Sequence, residues 1–148
     1  MNLVSASPEQ TLDIGRRLAR VLRAGDIVLL SGRLGSGKTL LVSGMAEGMG
    51  VQEQVTSPSF VLVHEYEGFL KIVHADMYRL GSIREFDDLE LTGDSRDGVL
   101  IVEWGDVVAS AMPDYLLIEI STTGENTRTL RFVPVGSWTE RSLEELAE

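Results

Sequence analysis

The sequence predicts an α/β fold, a three-layer sandwich around a mixed, mainly parallel sheet. An apolar strand at 26–31 leads through a glycine-rich loop directly into an apolar helix. A continuous apolar run at 99–102 is typical of a central strand that is covered on both faces. Segments at 60–66 and 69–75 are rich in β-branched and aromatic residues and flank a glycine turn. They predict an antiparallel hairpin in the same sheet.

Three capping boxes predict further helices. Residues 7–10 open the first helix, with Pro8 at its first position and Gly25 after its end. Residues 82–85 open a short helix, and residues 137–140 begin a terminal helix. Each box places a serine where its hydroxyl can accept a hydrogen bond from a free backbone N–H of the first turn.

Two more strands are predicted at 115–121 and 127–133, on either side of a polar turn. Residues 51–58 and 92–98 are predicted to be loops. The 148 residues contain no internal repeat, linker or low-complexity tract. We therefore expect residues 1–148 to form one domain.

Composition narrows the class of protein. The net charge of −10 argues against a broad electrostatic grip on nucleic acid, because lysine and arginine are needed to displace counterions. The absence of cysteine excludes disulfides, thiolate metal sites and a cysteine nucleophile. No apolar run reaches membrane-spanning length, and no signal-peptide pattern opens the chain. A soluble cytoplasmic protein without a membrane partner is expected.

Residues 32–39 match G-x-x-x-x-G-K-[ST], the phosphate-binding P-loop, in the strand–loop–helix context that the motif requires. The glycines let backbone N–H groups point at a phosphate chain, and the helix adds the positive end of its dipole. Lys38 would act on the β- and γ-phosphates, and the Thr39 hydroxyl would ligate Mg²⁺. The motif predicts a P-loop NTPase-like domain that binds ATP or ADP with Mg²⁺. The predicted nucleotide contacts here are Gly35, Ser36, Gly37, Lys38, Thr39 and Leu40.

Two carboxylates qualify as partners of the P-loop. Asp76 ends the apolar segment 70–75, and Glu103 ends the run 99–102. The carboxyl ends of parallel strands meet at the phosphate crevice, so both carboxylates are candidates for Mg²⁺ binding and catalysis. A solvated carboxylate at a strand end is the alternative for each. The residues leave open which of the two contacts the metal.

Other residues in the chain have both a functional and a structural interpretation. A hydroxyl from the loop 56–60 could sense the γ-phosphate, although an ordinary Ser/Pro turn fits as well. His64 and His74 could face each other across the hairpin, and a structural role suits them better than a transition-metal site. Trp104 could pack on a nucleotide or a partner, or lie half-buried in the core.

The chain resembles the TsaE (YjeE) family, the small ATPases of bacterial tRNA threonylcarbamoyladenosine synthesis. The resemblance covers nearly the whole sequence. It includes Thr11 in the first helix, the P-loop, and the segment Ser57-Pro58-Ser59-Phe60. It continues with a His-x-Asp-x-Tyr-Arg box at 74–79 and an Ile-Glu-Trp box within 101–104. Ser59 stands where the family usually has threonine, which keeps the hydroxyl.

The resemblance implies an ATPase, slow without partners, that is the accessory subunit of a complex with TsaB–TsaD. That complex adds the threonylcarbamoyl group to adenosine 37 of tRNAs reading codons that begin with adenine. With its acidic charge, this chain would meet tRNA only indirectly. The resemblance also implies that Glu103 is a Mg²⁺ ligand and Asp76 a water-orienting or second metal-site carboxylate. Thr11, Ser59 and Arg128 would lie at the nucleotide.

Two other functions remain open from the residues. A stand-alone small-molecule kinase usually needs an arginine-bearing lid over the phosphates. Only Arg79, Arg84 and Arg96 could supply one here, from a short segment. A GTP switch would carry a guanine-reading Asn-Lys-x-Asp box, which this sequence lacks.

Overall fold

The computed structural model describes residues 1–58, 63–77, 91, 95–104 and 108–147. The strands are β1 (Asn2–Ser5), β2 (Ile27–Ser31), β3 (Val63–Tyr66), β4 (Lys71–Asp76), β5 (Gly98–Glu103), β6 (Tyr115–Thr122) and β7 (Arg128–Val135). The α-helices are α1 (Pro8–Val21) and α2 (Lys38–Gly48). Short 3₁₀ helices span Ala109–Ala111, Gly136–Glu140 and Glu144–Ala147.

One seven-stranded sheet contains these strands in the order β1-β7-β6-β2-β5-β4-β3. The four inner strands β6, β2, β5 and β4 run parallel to one another. At the edges, β3 pairs with β4, β7 with β6, and β1 with β7, all antiparallel. The predicted α/β class, mixed sheet and hairpin are therefore confirmed, with parallel pairing at the centre and antiparallel pairing at both edges.

Strand β5 is the central strand that its apolar run predicts. Every residue from Gly98 to Glu103 is buried, because β2 and β4 flank the strand and both faces are covered. One face packs under α1 and α2 through side chains such as Leu18 and Met45. The other face carries Leu100 and Val102, which pack with Met77, Leu91 and Val108. This double coverage makes the run continuously apolar rather than alternating.

Helix α1 begins where its capping box predicts. The Ser7 hydroxyl accepts a hydrogen bond from the Gln10 backbone N–H at 3.2 Å, and Pro8 is the first helical residue. The Gln10 side chain completes the cap one residue earlier than expected, because it accepts from the Ala6 N–H at 2.7 Å. The helix ends at Val21, a few residues before the glycine at 25. The long, strongly amphipathic stripe of α1 packs against α2 and the sheet.

The end of the chain differs from the prediction. The segment 137–140 does not open a capped terminal helix; it belongs to the 3₁₀ helix Gly136–Glu140, which has no side-chain cap. The Ser137 N–H donates to the Asp114 carboxylate at 2.5 Å, and Trp138 is buried against the core. These contacts hold the segment against the sheet, and the chain turns at Arg141 before it can wind further. The box at 82–85 lies outside the described residues.

A buried ion pair holds this C-terminal segment to the start of β2. The Arg141 guanidinium donates two hydrogen bonds to Asp26, at 2.6 and 2.7 Å, and its charge lies 4.0 Å from the Trp138 ring centroid. The hydrogen bond to Asp26 raises the pKa of Arg141 above its ordinary value, against the opposing effect of burial. Asp26 also accepts from the Arg23 N–H at 2.6 Å. The Asp26 carboxylate therefore accepts three hydrogen bonds, two from Arg141 and one from the backbone of Arg23.

Strand β1 was not predicted. Its four residues pair antiparallel with β7 at the edge of the sheet. The strand has only four residues, two of them polar, and it pairs with a partner more than 120 residues away in sequence, so no local pattern marks it. No helix within the described ranges is long and apolar enough to cross a membrane.

We expect Gly15→Ala to reduce the free energy of unfolding, because α1 and α2 approach each other too closely for a side chain. A Cβ at Gly15 would lie 2.5 Å from the Leu41 carbonyl oxygen and 2.8 Å from the Met45 nitrogen. Both are backbone atoms, so the helices would have to separate. The expected loss is about 1–3 kcal/mol, although alanine is the better helix former.

Urea unfolding followed by tryptophan fluorescence measures this loss. Gly124→Ala is the matched control, because it lies in an exposed turn where a Cβ meets only the Thr127 side chain at 3.3 Å. The control is expected to stay within about 0.5 kcal/mol of the wild type. Equal stability of the two variants would contradict the close helix contact.

Candidate functional site

The P-loop connects the carboxyl end of β2 to the first turn of α2. Gly35 and Gly37 have φ angles of 79° and 105°, a left-handed conformation that glycine adopts without strain. Helix α2 begins at Lys38 with no side-chain cap on its first turn. The N–H groups of its first turn and the positive end of its dipole therefore lie next to the loop, as an anion site requires.

Lys38 lies folded over the loop. Its side chain is 5% exposed, and Nζ donates hydrogen bonds to the carbonyl oxygens of Gly32 and, at 3.1 Å, of Arg33. The same ammonium group lies 4.1 Å from the centroid of the Trp104 ring. The positive charge is thus held next to the loop by carbonyl oxygens and an aromatic face. Trp104 is half-buried, and it has a φ of 61°, rare for a bulky residue.

Glu103, the last residue of β5, contacts Thr39 in the first turn of α2. The Thr39 hydroxyl lies 3.4 Å from Oε1 and 3.3 Å from Oε2 of Glu103. Asp76 is the register partner of Glu103 between the parallel strands β4 and β5, so the two carboxylates lie side by side at the strand ends. Both are 3% exposed. Of these two carboxylates, Glu103 contacts the hydroxyl of the P-loop threonine.

His74 contacts Glu103 directly. Its Nε2 lies 2.5 Å from Oε2 of Glu103, and the imidazole is fully buried. His64 and His74 are register partners, as the hairpin predicts, but their side chains have different partners. His64 Nδ1 lies 3.1 Å from the Tyr66 hydroxyl, which also accepts from the Thr56 N–H at 3.3 Å. That hydroxyl ties the loop before Ser57 to the hairpin.

A cleft of about 330 Å³ joins these groups. It is lined by the P-loop and by Lys38, Thr39, Asp76, Glu103, Trp104 and Ser57. The strand-end carboxylates, the P-loop cation and a hydroxyl of the predicted sensor loop therefore share one space. Ser59, the predicted sensor residue itself, lies outside the described residues.

A smaller cavity of about 130 Å³ lies on the other side of the loop. Thr11 and Arg128 line it together with Gly35, Ser36, Gly37 and Leu40. The Arg128 Nε donates to the Ser36 carbonyl oxygen at 3.1 Å, and this contact joins β7 to the P-loop. Thr11 is buried, with its hydroxyl 2.7 Å from that of Ser5. Thr11 and Arg128, two of the three residues that the resemblance places at the nucleotide, thus border the loop from α1 and β7.

The donors of the larger cleft fit a hard divalent cation. The Thr39 hydroxyl and the carboxylates of Glu103 and Asp76 supply oxygen atoms only. Mg²⁺ takes one or two carboxylates from the protein and completes its shell with water and phosphate oxygens. Within the described ranges, no group of three or more His, Cys, Asp or Glu side chains could hold a metal without such help. The site therefore suits a cation that arrives with a phosphorylated ligand.

Sequence reasoning missed two contacts of this site. It offered a nucleotide, a partner or a half-buried core position for Trp104; the residue is half-buried, and its ring lies against the Lys38 charge, a contact that the sequence did not predict. It favoured a structural role for His74 over a transition-metal site, and it did not predict the contact of the imidazole with Glu103. The sequence carried one signal for the second contact, because His74 and Asp76 are two residues apart on one strand and must face the same side. The register between β4 and β5, which decides whether that side meets Glu103, is not visible in the sequence.

Comparison with known proteins agrees with the geometry. The family model for the threonylcarbamoyl adenosine biosynthesis protein TsaE matches residues 5–130. A relative from Streptomyces coelicolor is 43% identical over 135 residues, which are 87% of this chain and 91% of that protein. A relative from Bacillus subtilis is 36% identical over 146 residues, 97% of this chain and 91% of that protein. Both are named tRNA threonylcarbamoyladenosine biosynthesis protein TsaE.

The fold agrees with a solved structure as well. The crystal structure of YdiB from Bacillus subtilis superposes with a TM-score of 0.81 at 32% sequence identity. The match covers 99% of this chain and 93% of that one. This likeness confirms the predicted P-loop NTPase-like fold. With the family model matching residues 5–130 and relatives aligned over most of their length, the chain belongs to the TsaE family.

Proposed function

We propose that the protein is a Mg²⁺-dependent ATPase, the accessory subunit of a complex that adds the threonylcarbamoyl group to adenosine 37 of tRNAs reading codons that begin with adenine. One observation carries the proposal. The P-loop hydroxyl of Thr39 contacts Glu103, beside Asp76, at the edge where the parallel strands end. Family membership supplies the biosynthetic context, since relatives are named for tRNA threonylcarbamoyladenosine biosynthesis.

The P-loop would bind the phosphates of ATP. Its backbone N–H groups and the start of α2 face the anion, and Lys38 would turn from the Gly32 and Arg33 carbonyl oxygens to the β- and γ-phosphates. Thr39 and Glu103 would hold Mg²⁺, with Asp76 as a further carboxylate. When bound, Mg²⁺ would neutralise charge on the phosphate oxygens. The smaller cavity with Thr11, Ser36 and Arg128 adjoins the loop and suits the nucleoside side of the ligand.

Hydrolysis requires a water molecule oriented towards the γ-phosphate. Asp76 is suited to this role because it lines the cleft and is almost completely buried. It lies beside Glu103, which is the carboxylate in contact with Thr39. Ser57 lines the same cleft from a loop that Tyr66 holds, and the adjoining Ser59 is proposed to sense the γ-phosphate. Docking of a partner over the cleft would exclude bulk water.

The proposed partners are TsaB and TsaD, with TsaD carrying out the carbamoyl transfer. The net charge of −10 disfavours direct capture of tRNA, so the partners would hold the RNA. The tip of the P-loop presents Leu34, which is 72% exposed, next to the exposed Arg33. Leu34 lines the cleft, and its exposed apolar side chain beside the Arg33 charge suits a partner that covers the cleft. ATP would favour docking, and hydrolysis would release or reset the complex after each modification.

Lys38→Ala is expected to weaken ATP binding by about 1.5–3 kcal/mol, because a charge-assisted hydrogen bond to phosphate is lost. Calorimetric titration with MgATP measures the change. Lys71→Ala is the matched control, since Lys71 is the other lysine of the chain and lies at the start of β4, 3.7 Å from the exposed Asp97. Equal ATP affinity of the wild type and Lys38→Ala would contradict the assignment of Lys38 to the phosphates.

Asp76→Asn and Glu103→Gln are each expected to cut turnover at least about 100-fold in the reconstituted complex, as loss of a positioned catalytic group does. Both changes keep the side-chain volume, so packing is preserved. Turnover is measured as phosphate release, and binding of ATP is measured in parallel. Asp97→Asn, in an exposed turn remote from the cleft, serves as the control. Undiminished turnover in either variant removes that residue from the mechanism.

Partner proteins are expected to accelerate hydrolysis. An arginine supplied in trans to the γ-phosphate contributes about 10³–10⁵ in rate in P-loop enzymes. The experiment compares kcat for the isolated chain with kcat at saturating TsaB–TsaD. The expectation fails if the isolated chain already turns over at about 1 s⁻¹ or faster, the ordinary enzyme range, and the partners leave that rate unchanged.

A further inference from the structure

We propose that His74 is a positioning residue that orients the Glu103 carboxylate for cation binding. The inference rests on the proposed function, because it concerns the same cleft. His74 is fully buried behind Glu103 and does not line the cleft itself. It would therefore act through Glu103 and not on the ligand.

The register of the sheet brings the two side chains together. His74 on β4 is opposite Ile101 on β5, and Asp76 is opposite Glu103. Residues two apart on a strand project to the same side, so His74, Asp76 and Glu103 share one face. The imidazole consequently reaches Glu103 diagonally, with Nε2 at 2.5 Å from Oε2. Few other side chains could bridge this diagonal from the middle of a buried strand.

A carboxylate that binds a cation is ionised and has only acceptors, so in that state the Nε2–H of the imidazole is the donor of this contact. Oε2, which accepts this bond, is also one of the two oxygens near the Thr39 hydroxyl. Two donors from different elements, β4 and α2, therefore act on the same carboxylate. Together they restrain the rotation of the carboxylate, with Oε1 3.4 Å from the Thr39 hydroxyl.

The rest of the histidine has no comparable role. Nδ1 is buried and has no hydrogen-bond partner within the described part of the chain. An unpaired buried polar atom costs about 1–3 kcal/mol, so a histidine is a poor choice for filling this position. An apolar side chain of similar volume would pack without that cost. The bond from Nε2 to Glu103 is the contact that distinguishes histidine here.

Partners outside the first coordination shell commonly hold a metal-binding carboxylate in place, and their loss costs about 10–100-fold in metal affinity or activity. If His74 has this role, its removal should affect Mg²⁺ more than the nucleotide. A purely structural role would instead lower the stability of the whole domain and leave the Mg²⁺ dependence as it is. The two roles therefore separate in one set of variants.

The experiment compares two variants. His74→Leu removes the Nε2–H donor. In His74→Gln, the side-chain amide is long enough to donate to Glu103 in its place. The Mg²⁺ concentration that gives half-maximal binding of a non-hydrolysable ATP analogue is measured by calorimetry. Urea unfolding of each variant is measured in parallel. His74→Leu is expected to raise that Mg²⁺ concentration about 10–100-fold, and His74→Gln to restore most of the loss. In a Glu103→Gln background, His74→Leu should add little further effect, because the group it orients is already altered.

An unchanged Mg²⁺ dependence in folded His74→Leu overturns the proposal and leaves the ATPase function intact. If His74→Leu does not fold, His74→Asn replaces it, since the shorter amide cannot reach Glu103. Equal Mg²⁺ dependence of the Asn and Gln variants then overturns the proposal. Absence of any Mg²⁺-dependent analogue binding by the wild type overturns the proposed function and this inference together, which distinguishes the two failures.

Discussion

The parallel pairing of β5 with both β2 and β4 is the constraint on which the candidate site depends. Glu103 is the register partner of Leu30 on one side and of Asp76 on the other. The first pairing brings Glu103 to the end of the strand that leads into the P-loop. The second places Asp76 beside it. A slip of one residue in either pairing would turn these carboxylates towards the opposite face of the sheet, away from Thr39.

The close packing of α1 on α2 sets the other side of the loop. Gly15 and Gly44 lie where the two helices leave no room for a side chain, so the helix backbones approach directly. As a result the N-terminal turn of α1 lies beside the P-loop, and Thr11 borders the smaller cavity. The P-loop is thus bounded by a polar cleft at the strand ends and by a cavity between α1 and Arg128. A nucleotide bound along the loop would contact both.

Burial of ionisable side chains at the carboxyl ends of the parallel strands costs hydration free energy, and packing of the fold does not require it. Lys38, His74, Asp76 and Glu103 are all at most 5% exposed. Charged groups removed from water lose hydration, and even paired ones are often no more stabilising than apolar residues of the same volume. Their concentration around one cleft follows the pattern of functional sites, where local stability is exchanged for preorganised charge. The buried pair of Asp26 and Arg141 differs, because it fastens the C-terminal segment and faces no cleft of this site.

The amino-acid sequence by itself determined the features that arise from local physics. Glycine placement and the strand–loop–helix pattern were sufficient for the P-loop, and apolar runs were sufficient for β4 and β5 with a carboxylate at the end of each. The cap of α1 and the hairpin likewise follow from neighbouring residues.

Tertiary structure alone decided the contacts between distant segments. Thr39 and Glu103 are 64 positions apart and His74 and Glu103 are 29 apart, and strand register decides whether they meet. The C-terminal 3₁₀ turns and strand β1 depend in the same way on the body of the domain, because their own sequences are too short or too polar to specify an element. Local pattern therefore indicated the candidate groups, and long-range pairing decided that Glu103 contacts both His74 and Thr39.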